Sequence, residues 1–219
     1  MMNNSQKANP ILLLHGLWDT EAIFHPMSNF LSKLGYSVYS LSMNPNNGDV
    51  ALEKLAEQVA IYAAKIFPEN QRFDLLGFSM GGIVGRYYLQ RLGGIEKVDR
   101  FITIGSPHNG TATAFGSLRP GCMQMRIGSY FLADLNRDLT VLSQINFTSI
   151  WSPYDMMILP ASSSIMPVGK NILIPVLFHG WMAADERVLK AVMEELSAPL
   201  KAENNRLNSL KTTVQENRK

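Results

Sequence analysis

Ile11–Leu14 is a run of four apolar residues, and the longer stretch behind it, 20–34, has the spacing of a helix. Four residues are too few for a helix and suit a strand buried on both faces. The same alternation continues along the chain. A second strand is expected over 36–41. Asp49 is placed to cap a helix that carries Leu55, Val59, Tyr62 and Ile66 on one face and stops at Pro68. Strand 73–76 precedes a helix over 80–92, which the Gly93–Gly94 pair ends. Val98–Ile104 reads as a fourth strand, 106–145 as a long irregular section, and Asn146–Trp151 and 172–178 as two further strands. A last helix starts near Asp185, with Val188, Leu189, Val192, Met193 and Leu196 at helical spacing. Strand–helix alternation of this kind predicts an α/β fold, a mainly parallel sheet of about six strands with helices on both faces. Ligands of such sheets sit at the carboxyl ends of the strands.

Composition narrows the class. Apolar residues make up 46% and charged residues 17%, too apolar and too weakly charged for intrinsic disorder. The 219 residues read as a single domain over 1–200 followed by a polar tail, 201–219. That tail holds five basic and two acidic residues, whereas 1–200 holds 15 basic and 16 acidic. It is expected to be flexible. With no basic run in the body, a nucleic-acid partner is not expected. Cys122 is the only cysteine, which excludes an internal disulfide, and no Cys/His spacing resembles a zinc site, so neither metal nor organic cofactor is expected. The early apolar run is shorter than the roughly seven residues of a secretory leader, and no stretch reaches the ~18 apolar residues of a membrane span. A cytoplasmic chain without stable membrane insertion is the expectation.

Gly77-Phe78-Ser79-Met80-Gly81 is a G-x-S-x-G motif lying between a strand and a helix. That context is required of a nucleophile elbow, in which Ser79 occupies a strained turn and the small residues at 77 and 81 avoid their neighbours. The N–H of Met80 falls at the helix start, where it is unsatisfied and carries partial positive charge. A hydroxyl nucleophile needs a base, and the base an orienting acid. Of His15, His25, His108 and His179, only His179 comes late in the chain, after a predicted strand. Asp155 follows the strand before it. Asp99 precedes its strand, on the wrong sheet edge, while Asp134 and Asp138 fall in or near a helical stretch. His15-Gly16 turns the backbone after the first strand and presents the N–H of Leu17, so Leu17 and Met80 are the oxyanion donors and His15 is a brace for the loop. His25 has no evident partner.

Together, ILLLHGLW, LLGFSMGG, IGSPHNGT and WSPYD…VLFHG resemble the α/β-hydrolases, and more narrowly the small bacterial lipases and esterases, including the minimal lidless and class 2-like lipases. The similarity spans about residues 10–197. It implies Ser79 as nucleophile, Asp155 as acid, His179 as base, Leu17 and Met80 as oxyanion amides, and His108 as a residue at the pocket rim or behind it. It also implies that 106–145, longer than in the smallest members, is a partial cap. An apolar acyl pocket is expected from Trp18, Phe78, Met156, Met157 and Trp181, with Phe24, Ile158, Leu159, Met182, Phe115, Leu118, Met123, Met125 and Phe131 nearby. The expected activity is hydrolysis of a small-molecule or lipid carboxylic ester through an acyl-enzyme. The alternatives are a thioesterase, a lipid-headgroup deacylase, or a non-catalytic binding protein of the same fold.

Overall fold

The computed structural model describes residues 8–201. Six strands, β1 (Ile11–Leu14), β2 (Val38–Leu41), β3 (Phe73–Phe78), β4 (Val98–Ile104), β5 (Asn146–Trp151) and β6 (Lys170–Leu173), form one sheet in the order β2-β1-β3-β4-β5-β6. Every neighbouring pair is parallel. The chain steps outward from β1 to β2, then returns to the other side of β1 with β3. The crevice beyond the carboxyl ends of β1 and β3 is therefore the switch point of the sheet.

Successive strand residues face opposite layers. Leu12, Leu14 and Leu75 pack with Leu55 and Val59 of α2 (Leu52–Ile66) and with Ile83 and Val84 of α3 (Met80–Arg91). Ile11, Leu13 and Leu76 pack on the other side with Met27 and Leu31 of α1 (His25–Lys33) and with Val188 and Val192 of α6 (Glu186–Ser197). All of these residues are buried. The doubly wound parallel sheet expected from the alternation of runs is the architecture observed.

Several boundaries differ from expectation for identifiable reasons. The 20–34 helix is a 3₁₀ turn, Glu21–Phe24, followed by α1. Asp49 does not cap α2: its carboxylate is held by Asn47 Nδ2 at 2.6 Å and by Arg119 at 3.1 Å. The N–H of Leu52 instead donates to Gln124 Oε1 at 2.6 Å, a cap supplied from distant sequence. Section 106–145 is not irregular throughout, since it contains α4 (Pro120–Gln124) and α5 (Tyr130–Arg137). The last strand stops at Leu173, short of the expected 178. Pro175 has no N–H for the ladder, and Val176 bonds to Ser152 Oγ. The 201–219 tail, Lys201 apart, lies outside the described residues. Among the described residues no helix is long and apolar enough to cross a membrane.

One charged group is buried at the opposite, amino-terminal end of the sheet. Asp74 of β3 is 1% exposed, accepts from Asn9 Nδ2 at 3.1 Å and pairs with Arg100 at 3.3 Å. Burial raises its carboxyl to about 6, against the opposing pull of Arg100 and Asn9. A folded-state value above the unfolded one contributes stability below about pH 4 that is lost as pH rises through 6. Asp74→Asn removes that dependence. Relative to the parent, the variant is expected to gain on the order of 3 kcal/mol between pH 4 and pH 7, read as the shift in urea midpoints. A difference between the two proteins that does not change with pH would contradict this account.

Candidate active site

Ser79 occupies the turn between β3 and α3 with φ 53° and ψ −121°, one of two non-glycine residues at positive φ among those described. Such a backbone costs roughly 1–3 kcal/mol and persists only where its surroundings enforce it. Here the N–H of Ser79 donates to Ile104 O at 2.8 Å, which pins the turn to the end of β4. A Cβ on Gly77 would fall 2.5 Å from Gly82 N, and one on Gly81 would run into Leu14 O. The two glycines thus allow β1, β3 and α3 to meet beneath the serine. The Ser79 side chain makes no capping bond to the helix it begins. Its hydroxyl is available to the crevice.

The loop after β1 is built against this turn. A Cβ on Gly16 would lie 3.0 Å from Ser79 Cβ. His15 is fully buried and its Nε2 accepts from Met43 N at 2.8 Å, so Nδ1 carries the proton and donates to Gly16 O at 2.8 Å. Trp18, at φ 66°, donates from its N–H to Asn46 O at 2.8 Å. These contacts hold residues 15–18 in place with Leu17 between them. Among the described residues, no acceptor is paired with the N–H of Leu17 or of Met80.

The acid and the imidazole come from the next two strands. Asp155, 3% exposed, accepts through Oδ1 from Met157 N at 2.9 Å and Ile158 N at 3.0 Å. Its Oδ2 accepts from His179 Nδ1 at 2.6 Å. Nδ1 therefore carries a proton, while Nε2 is buried and has no partner among the described residues. The Phe78 ring packs on His179 with centroids 4.9 Å apart. Gly105, at φ 55°, leaves space for both groups, since a Cβ there would lie 3.1 Å from His179 Cε1 and 3.3 Å from Asp155 Oδ2. Ser152 joins the two loops by donating from Oγ to Val176 O at 2.7 Å and accepting from Val176 N at 3.0 Å.

Ser79 and His179 line one groove of about 300 Å³, together with Leu17, Trp18, Asp19, Thr111, Ala114, Met125, Met157 and Ile158. The wall formed by 111–125 is tied to the Asp155 loop. Thr111 Oγ1 and Thr113 Oγ1 both donate to Met157 O, at 2.9 and 2.7 Å, and Leu159 N donates to Thr111 Oγ1 at 2.9 Å.

The sequence profile of the palmitoyl protein thioesterase family matches residues 10–154. The chain belongs to that family. The matched segment carries His15, Leu17, Ser79 and Met80 and ends one residue before Asp155. Three solved structures resemble the fold: the mature lipase of Bacillus licheniformis (TM-score 0.73, 15% identity, 89% of this chain and 94% of that one), Aspergillus fumigatus lipase B (0.74, 19%, 90% and 54%), and an extracellular α/β-hydrolase from a Paenibacillus species (0.61, 18%, 85% and 97%). The chain spans about half the length of the Aspergillus enzyme. At these identities the likeness is one of α/β-hydrolase fold.

Within this family member, the residues expected to line the acyl pocket separate. Trp18 and Met157 line the groove. Phe78 lies in the core beneath His179, because its position in β3 turns it into the layer that contains α1 and α6. Met156 is 70% exposed outside the groove, since Asp155 Oδ1 holds the N–H groups of Met157 and Ile158 and turns those two residues inward. Trp181 packs edge-on to Phe178 at 4.4 Å, on the outer surface. His108 does not reach the groove either. It is fully buried, bonded through Nε2 to Thr103 Oγ1 at 2.9 Å, and held well below the usual histidine range by burial and by Arg86. His25 is exposed at the start of α1. Asp99 binds Asn9 and Arg72, and Asp134 and Asp138 bind Arg91, all away from His179.

Sequence reasoning missed Asp19, Ser152 and the threonines at 111 and 113. Asp19 follows the HGLW segment closely enough for its position beside the loop after β1 to have drawn notice. Ser152 has no sequence signal, because its partner is 24 residues away. Burial pushes the Asp19 carboxyl up, opposed by His15 and His179.

The brace at His15 can be tested. His15→Phe leaves the Met43 N–H and the Gly16 carbonyl without this buried partner, and is expected to lower stability by about 2–3 kcal/mol, seen as a lower urea midpoint at unchanged slope. An unchanged midpoint would remove the brace from the account of the loop.

Proposed function

We propose that this protein is a serine hydrolase that cleaves carboxylic esters of apolar acyl groups through Ser79, His179 and Asp155. The observation that carries the reading is the imidazole of His179, bonded to Asp155 through Nδ1 and unpartnered at its buried Nε2 among the described residues, in a residue that lines the groove together with Ser79. A surface histidine or a core histidine satisfied at both nitrogens has no such combination. Ser79 sits in a strained turn at the switch point of the sheet, and strain of this type collects at functional positions.

In this mechanism His179 Nε2 takes the proton from Ser79 Oγ as the oxygen attacks the ester carbonyl. Asp155 holds the ring in the required tautomer and stabilises the imidazolium. The N–H groups of Leu17 and Met80 receive the developing oxyanion, each worth roughly 3–4 kcal/mol in the transition state. His179 then gives its proton to the departing alkoxide, leaving an acyl group on Ser79. Water, deprotonated by His179, releases the acid and restores the hydroxyl. The apolar side of the groove, formed by Ala114, Met125, Met157 and Ile158, takes the acyl chain.

A second reading, thioester hydrolysis with the same residues, is favoured by the family match. A thiolate is a better leaving group than an alkoxide, because a thiol has a pKa near 8.5 and needs less help from the protonated His179. An ester and a thioester of one acyl chain, compared by kcat/KM, discriminate the two readings.

Ser79→Ala is expected to lower turnover of p-nitrophenyl butyrate by roughly 10⁶-fold and Asp155→Asn by roughly 10⁴-fold, with the fold intact by circular dichroism. Parent-level hydrolysis by purified Ser79→Ala would exclude it as the nucleophile. Full turnover by Asp155→Asn would remove that residue alone.

A further inference from the structure

Among the described residues, Asp19 is the one carboxylate that lines the groove, and no Lys or Arg lines it. Its Oδ2 and the Ser79 Cβ lie within 2.8 and 3.0 Å of the same point, the position a Cβ would take on Gly16. Among the described residues its carboxylate has no hydrogen-bond donor and no salt-bridge partner. Its polar contacts are made by its backbone, whose carbonyl accepts from Asn46 Nδ2 at 2.7 Å and whose N–H donates to Gly16 O at 3.3 Å. The side chain is partly buried beside Trp18, an exposed indole over which the Arg119 guanidinium sits at 4.8 Å. Arg119 itself pairs with Asp49 rather than Asp19.

An unpaired negative charge beside an oxyanion hole has a clear electrostatic consequence. It opposes the negative charge that develops on the substrate carbonyl. A cation on the substrate would reverse that sign, and among the described residues no Lys or Arg lines the groove to supply a permanent one. The groove is otherwise lined largely by apolar residues, Ala114, Met125, Met157 and Ile158 among them, which suit the acyl chain rather than a charged group. Arg119 already occupies one face of the Trp18 indole, so the attraction for an ammonium group rests on the unpaired carboxylate beside it.

Building on the hydrolase reading above, we propose that Asp19 is a specificity-determining residue that recognises a cationic ammonium group on the alcohol or thiol portion of the substrate, next to the scissile bond. The bond broken and the products are those of the hydrolysis already described.

The test compares two butyrate esters of nearly equal shape, the choline ester and its neutral 3,3-dimethylbutyl counterpart, with p-nitrophenyl butyrate as the control for hydrolase activity. The parent is expected to favour the choline ester about tenfold in kcat/KM, and Asp19→Asn to bring the ratio close to one. Asp19→Glu, which keeps the charge, should retain part of the preference. A purely structural role for Asp19 would lower both rates together and leave the ratio unchanged. In the parent alone, the preference should shrink as NaCl is raised toward 1 M. Lack of a preference in the parent, an equal ratio in Asp19→Asn, or a ratio insensitive to salt would overturn the inference while leaving the hydrolase reading standing. Failure of the parent to hydrolyse p-nitrophenyl butyrate or either paired ester would instead overturn the hydrolase reading, and this inference with it.

Discussion

Where β3 passes into α3, backbones from three elements approach so closely that no side chain fits at positions 77 or 81. The constraint explains much of what surrounds it. Because α3 must start directly beneath β1, the loop after β1 is forced over Ser79, and Gly16 comes into contact with the serine. Because the chain leaves the turn at positive φ, the Ser79 hydroxyl projects away from both β3 and α3. The same geometry leaves the first N–H of α3 without an intrahelical partner. The proposed nucleophile and one of the proposed oxyanion donors therefore arise from a single packing requirement.

The charges around the crevice are ordered by burial. Asp155 is satisfied by two backbone N–H groups as well as by His179, so its negative charge is fixed in position and direction. Asp19 lines the groove with His179 but has no such partners among the described residues. Farther back, Arg86 of α3 is fully buried and, among the described residues, has no carboxylate partner. Its guanidinium donates to Gln90 Oε1 at 3.2 Å, His108 O at 3.2 Å and Asn136 Oδ1 at 2.8 Å, and burial lowers its pKa to about 9. One cation thus joins α3, the loop after β4 and α5. Through that loop it steadies the segment from which Thr111 and Thr113 reach the Asp155 turn.

The sheet was legible because strands buried on both faces need continuous apolar runs, and Ile11–Leu14 is of this kind. The strand–helix turn around Ser79 was legible for a different reason. Close backbone approach allows only glycine, and glycine at two fixed offsets leaves a mark in the chain. Caps were less legible. Asp49 has the right residue type for a helix start, yet the α2 cap comes from Gln124, 72 residues away. Candidate pocket residues were the least legible. Met156 and Met157 are identical in chemistry and adjacent in sequence, and only the direction imposed by the Asp155 turn distinguishes the one in the groove from the one on the surface.

Local sequence by itself determined the alternation of strand and helix, the parallel sheet and the sharp turn carrying Ser79, because each depends on hydrophobic period or on the steric demands of glycine within a few residues. Tertiary structure alone decided which charged groups acquired partners. It left Asp19 facing the groove, satisfied the second nitrogen of His15, left that of His179 open, and buried Arg86 among neutral acceptors. Those outcomes depend on distances between atoms remote along the chain, which residue type and spacing do not encode.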